Sequence, residues 1–243
     1  MKLLLPFILA VAIGSSVVAQ TANNAPFPGG PVLAKTADFA KWTTTTITSV
    51  PESGTGGTDA SPSSEKADLK KTIVTTTKTL PVRLVSTIAA NGEERSIWCL
   101  EPFEVLTSQH LPKPLLFTSP NPIYVDYSRS DFPELEWISE ANFVGIQKVG
   151  ERQELHFRTT IAPNASAAAT AKAAGHELSG TLCEATVDAK TRLPVSFKQG
   201  DEISTYNFEE PPTSVLVPPP EVKAIITEEQ ARLQRLSRVP PSG

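Results

Sequence analysis

Between Glu154 and Ile161 the chain alternates, with Leu155, Phe157 and Ile161 set against Glu154, His156, Arg158 and Thr160. A period of two is that of a strand with one covered face and one wet face. Two further runs, Trp42 to Val50 and Thr72 to Thr79, consist largely of threonine, valine and isoleucine, whose branched side chains fit a pleated surface; both read as strands. Pro81 to Ala89 and Arg95 to Leu100 flank Asn91-Gly92, a dipeptide with ready access to positive φ, which predicts a hairpin. Phe143 to Val149 precedes the alternating strand across Gly150-Glu151. Leu182 to Asp188, Leu193 to Gln199 and Glu202 to Phe208, joined by short turns, predict a three-strand meander.

Helical signals are few. In Asp131 to Ile138, Asp131 and Glu134 have capping-box spacing and Pro133 falls in the first turn. A second helix is predicted from Thr227, with Gln230 reaching back, Glu228 pairing with Arg232, and Pro240-Pro241 as the stop. Its Arg232, Arg235 and Arg238 suit either a solvated surface or a docking face for anionic lipid or a partner. The alanine-rich stretch from Pro163 to Gly175 lacks large apolar residues to hold a helix against a core and reads as a loop. A long antiparallel sheet with so little helix to cover it predicts a mainly β fold. The expected form is a curved antiparallel sheet in an open half-barrel, with one or two short helices and a C-terminal helix.

The ends of the chain read differently. Lys2, an apolar run from Leu3 to Ile13 and the small residues Val17 and Ala19 make residues 1–19 a secretory signal peptide, too short in its apolar part for the roughly 20 residues of a membrane span. Residues 20–35, rich in proline and glycine, are expected as a flexible leader, and residues 36–217 as a single β domain with a mobile loop at 51–68. Residues 218–243 form a proline-rich spacer and the C-terminal helix. The expected location is periplasmic or secreted.

Composition narrows the function. A net charge of −4 without clustered lysine and arginine argues against nucleic acid as a partner. Export places Cys99 and Cys183 where disulfides persist, so the two are expected to pair, the alternative being two buried thiols on separate strands. They do not make a zinc site, which wants four ligands at short spacings.

No Gly-x-Ser-x-Gly and no phosphate-cradling glycine loop occurs in the mature chain, and His110, His156 and His176 lack metal-ligand spacing. His156 falls on the predicted solvent face of its strand. Asp126, Asp131, Glu134 and Glu136 are the densest carboxylates, but their spacing is not that of a calcium loop, and Asn164-Ala-Ser166 is a glycosylation sequon. No catalytic, cofactor-binding or metal residue is assigned, no cofactor is implied, and a non-enzymatic protein is expected. The aromatic residues, among them Trp42, Trp98, Trp137, Phe143, Phe157 and Phe197, read mostly as core.

The segment Ala185 to Phe197, Ala-Thr-Val-Asp-Ala-Lys-Thr-Arg-Leu-Pro-Val-Ser-Phe, resembles the strand-turn-strand of the periplasmic lipoprotein carriers of the LolA, LolB and LppX type. The resemblance implies a half-barrel with an apolar groove and no enzymatic activity, and it transfers no individual site residue. The leading expectation is an exported protein whose concave sheet binds a lipid-like or other apolar ligand, or a lipidated protein. The alternative is a structural or adaptor protein of the cell envelope that binds other proteins, and an extracytoplasmic hydrolase ranks last.

Overall fold

The computed structural model describes residues 26–50, 68–118, 130–162 and 179–237. The expected signal peptide, most of the expected 51–68 loop, Asp126, the Asn164 sequon, the alanine-rich stretch, His176, Arg238 and Pro240-Pro241 lie outside the described residues.

The threonine- and valine-rich runs become strands β1 (Phe39–Val50) and β2 (Asp68–Thr79), followed by β3 (Val82–Ile88) and β4 (Glu94–Leu100) around Gly92, whose φ is 81°. Then come β5 (Phe103–Ser108), β6 (Leu115–Thr118), β7 (Phe143–Val149) and β8 (Arg152–Ile161). The chain continues through β9 (Thr181–Asp188), β10 (Pro194–Gln199) and β11 (Glu202–Glu209) to the helix α1 (Pro220–Ser237). All eleven strands form one antiparallel sheet in the order β6-β5-β4-β3-β2-β1-β11-β10-β9-β8-β7. Among the described residues the fold is mainly β, an unclosed sheet in the manner of an open half-barrel with a single C-terminal α-helix. Two meanders are joined side to side, because the first strand pairs with the last along Lys41 to Thr48.

Register sorts the side chains into two faces. On the front, Trp42 lies opposite Thr76 in β2 and Phe208 in β11, while Phe197, Ala185, Phe157 and Phe143 oppose one another in turn from β10 to β7. On the back, Val82, Leu100 and Phe103 line up across β3, β4 and β5, and Trp98, Val105 and Leu116 across β4, β5 and β6. The two halves of the sheet have cores on opposite faces. The β7–β11 half and β1 bury their front under Phe132, Leu135, Trp137, Ile138, Leu33 and Phe27. The β4–β6 half buries its back under Val222, Ile225 and Ile226 of α1.

The helix starts at Pro220, two turns ahead of the expected Thr227. Proline suits a first helical position, and the backbone N–H groups of Val222 and Lys223 both donate to the Pro219 carbonyl at 3.1 Å. Val222, Ile225 and Ile226 stand three and four apart, so the helix extends backwards to bury that stripe on the sheet. Thr227 is an interior residue, its hydroxyl donating to the Lys223 carbonyl at 2.9 Å, and Arg232 forks onto Glu229, not Glu228. The proposed Asp131 to Ile138 helix shrinks to one 3-10 turn, Pro133–Leu135, with no side-chain cap, because Asp131 is engaged elsewhere.

The expected cysteine bridge is not formed. Cys99 on β4 and Cys183 on β9 are both buried, with five strands between theirs in the sheet, and a disulfide needs Cα atoms within about 7 Å. Burial pushes the Cys183 thiol pKa up.

Candidate functional site

The front of the β7–β11 half and β1 carries a continuous apolar wall. Phe143, Phe157, Leu155, Val187, Ala185, Phe197, Tyr206, Phe208 and Trp42 cross it from edge to centre. A wall of this kind is usually covered by a second sheet or by helices. Among the described residues it is covered by two segments of largely irregular backbone.

The first is part of the connection from β6 to β7. Phe132 and Leu135 are 3% and 0% exposed, and Phe132 meets Trp42 at 5.5 Å and Tyr206 edge-on at 5.9 Å between ring centroids. Burying two such side chains contributes about 1.5–3 kcal/mol apiece. Trp137 lies 6.3 Å from Phe197, and its indole Nε1 is buried with no hydrogen-bond partner. The second segment runs from Pro26 toward β1. Residues 26–35 of the stretch expected as a flexible leader are laid against the sheet here, with Phe27 5.4 Å from Phe143 and edge-on to it, and Val32 and Leu33 packed on the Leu155, Phe157 and Val187 cluster; residues 20–25 lie outside the described residues.

Polar clasps fasten both segments. Asp131, at the start of the first, accepts from the Thr36 backbone N–H at 2.9 Å, from the Thr36 hydroxyl at 2.8 Å and from Lys78 Nζ at 3.2 Å, and pairs with Arg83. Arg83 also donates to the Ser130 carbonyl at 3.2 Å. Asp131, Lys78 and Arg83 have side chains 5%, 8% and 9% exposed, so this is a buried cluster of two cations on one carboxylate. Burial pushes the Asp131 pKa up, but the Thr36 hydrogen bonds and the charges of Arg83 and Lys78 outweigh it and hold the carboxyl below its usual range. The Tyr206 hydroxyl donates to Glu134 at 2.5 Å; burial, with the nearby carboxylate, pushes that phenol pKa far up. The carboxylates expected to cap a helix are therefore the fasteners of the cover.

The other candidates scatter. His110 is exposed on the turn after β5. His156 lies on the back, half-buried instead of solvated, with Nε2 secluded and unpartnered; burial lowers its pKa against the opposing pull of Glu154 and Glu184. Glu136 is exposed. Among the described residues no group of three or more histidine, cysteine, aspartate or glutamate side chains is placed to hold a metal ion, and no helix is long and apolar enough to cross a membrane. An open groove of ≈ 530 Å³ lies on the back between β6 and α1, lined by Leu116, Ile225, Glu228, Glu229, Arg232 and Arg235 with Thr118.

No protein-family model matches the chain, and no curated protein is similar to it. Among solved structures it is similar to a LolA superfamily protein from Nitrosomonas europaea, with 8% identity over 75% of this chain and 90% of that one and a TM-score of 0.29. The overlap is too loose to carry a functional argument.

Proposed function

We propose that the protein is an exported, non-enzymatic binding protein that takes up an apolar, lipid-like molecule on the front wall of its half-barrel. The observation that carries the reading is the nature of the cover. An aromatic wall spanning β7 to β1 is shielded by two irregular segments and a handful of polar clasps, and one of those segments holds the orphaned indole nitrogen of Trp137. Irregular segments of this kind open at lower cost than a packed helix or sheet, as a ligand-gated wall requires. Concave or covered apolar surfaces with a few polar groups are the usual sites of small-ligand binding.

The test is native mass spectrometry of the mature protein, purified without detergent, followed by titration with fatty acids and phospholipids under tryptophan fluorescence. A stoichiometric apolar molecule is expected. An empty protein whose fluorescence ignores every added lipid overturns the reading.

A second reading, an adaptor for envelope proteins, draws on the back of the molecule. Val215 and Val217 are 52% and 68% exposed in the proline-flanked stretch leading to α1, and a groove walled by Glu228, Arg232 and Arg235 lies farther along that helix. Pull-down of a stable envelope partner by a lipid-free protein favours it.

A further inference from the structure

The segment from Phe27 to Thr36 behaves as a bound ligand would. Its apolar side chains, Phe27, Val32 and Leu33, enter the wall, with Phe27 5.4 Å from the Phe143 centroid and 6.3 Å from that of Phe157. Its backbone belongs to no strand of the sheet. Gly29 and Gly30, at φ 73° and 80°, take a turn that L side chains rarely adopt, so a hinge made of glycine and flanked by Pro28 and Pro31 lies between the wall contacts of Phe27 and those of Val32 and Leu33.

Asp131 clasps the end of the segment at Thr36, and Arg192 clamps its middle. Arg192, in the turn between β9 and β10, sits at φ 59°, an uncommon backbone conformation for a residue other than glycine. Its Nη2 donates to the Gly29 carbonyl at 2.8 Å, its own carbonyl accepts from the Ala34 N–H at 2.9 Å, and its guanidinium carbon lies 5.4 Å from the Phe27 ring centroid. Its Nη1 is buried and has no partner. The indole Nε1 of Trp137, a residue packed on the same Leu155, Phe157 and Val187 cluster, is in the same state. A buried donor without an acceptor is costly, and a cationic one more so. Two such donors beside one apolar wall are placed to take an acceptor that a ligand brings.

Resting on the reading of the front wall as a ligand site, we propose that residues 27–36 are a built-in stand-in for the ligand. An acyl chain with an anionic head displaces them, its chain taking the place of Phe27, Val32 and Leu33 and its carboxylate binding Arg192. Guanidinium matches a carboxylate with two parallel hydrogen bonds, and Arg192 then exchanges a single carbonyl for a charged acceptor. The stand-in holds the wall closed when no ligand is present and sets the affinity, because the apparent dissociation constant is the intrinsic one divided by the fraction of molecules in which the strap is lifted.

The experiment titrates the full mature chain with oleate and, separately, with methyl oleate, following tryptophan fluorescence. Phe27→Ser weakens the strap and is expected to tighten oleate binding about tenfold. Gly29→Ala touches nothing within 4 Å and strains only the hinge, so it is expected to act in the same direction by a smaller factor even if Phe27→Ser folds poorly. Arg192→Gln in the Phe27→Ser background is expected to weaken oleate about tenfold while leaving methyl oleate within about twofold. If methyl oleate binds the wild type but both strap variants bind oleate no better than it does, the strap is part of the permanent wall; the stand-in is overturned and the binding function survives. An equal loss of both probes in Arg192→Gln overturns the carboxylate contact. Failure of every chain to bind either probe overturns the inference together with the proposed function.

Discussion

The two halves of this sheet solve the same problem with different materials. On the back of β4, β5 and β6, Phe103 and Val105 are covered by α1, a continuous helix that satisfies its own backbone and presents Val222 and Ile226 at 0% and 8% exposure. On the front of β7–β11, an aromatic wall is covered by short stretches of chain whose hold depends on Asp131, Tyr206 and Arg192. A helical cover carries its own backbone hydrogen bonds and opens as a unit. A strapped cover can be lifted piece by piece, since local opening takes place where buried contacts and backbone hydrogen bonds are few. The back cover is held by a helix's own ladder and a stripe of apolar side chains, the front cover by clasps between residues distant in the chain.

The comparison breaks first at Asp131. Asp131→Ala leaves Lys78 and Arg83 buried without a counter-charge, and a loss of about 3–5 kcal/mol is expected by urea unfolding. An equal loss in the triple variant lacking both cations as well would show that the charges were never the fastening. Ile226→Ala is expected to cost about 2–5 kcal/mol, with front-face lipid binding unchanged in the surviving folded protein. Altered binding in that variant would mean that the two faces are coupled.

Hydrogen exchange sharpens the same contrast. Amides of residues 27–36 and 130–138 are expected to exchange at least about tenfold faster than those of β5 and the first two turns of α1; equal protection would make the front cover as permanent as the back.

The smaller effects are in pH. Asp131 has a depressed pKa, so its contribution is fully present above the unfolded value of about 3.9 and is lost as pH falls through the folded one. His156 has a lowered pKa by burial, so the unfolded chain binds more protons below about 6.5 and stability falls as the pH drops from there toward the folded value. A melting temperature that declines between pH 7.5 and 5.5 in the wild type and less in His156→Gln is expected. An identical decline in both places the sensitivity elsewhere.

Strands that alternate polar and apolar residues were the most legible in the sequence, although Glu154 on the polar side of β8 is itself buried and Ile161 on its apolar side is exposed. β8 shows its alternation openly, and the hairpin at Asn91-Gly92 follows from backbone chemistry. β5 was not, because Phe103 and Val105 are buried under α1 while Leu106 faces the other way and is half-buried, so no polar period marks it. β6 is four residues long and is preceded by Pro112 and Pro114. The cover itself was hidden for a deeper reason. Residues 26–36 have the composition of a linker and are held by partners about a hundred residues or more distant, such as Asp131 for Thr36 and Arg192 for Gly29. Capping-box spacing at Asp131 and Glu134 was a true local signal for polar work near a turn, but the long-range cations and Tyr206 claimed both carboxylates. The apolar wall was legible as aromatic content; which face carries it depends on register, and that is set only when β1 meets β11.

That meeting also orders events in time. The hydroxyls of Thr46 and Ser204 lie 2.8 Å apart in the finished sheet and 158 positions apart in the chain. Each meander can form locally as it is made, but the seam between them waits for β11, nearly the last part of the domain to be synthesised. Contacts this distant close slowly. For a chain that is to be threaded across a membrane before it folds, as the proposed export requires, a sheet whose central seam needs its final strand stays in two unfinished pieces until almost all of it has emerged.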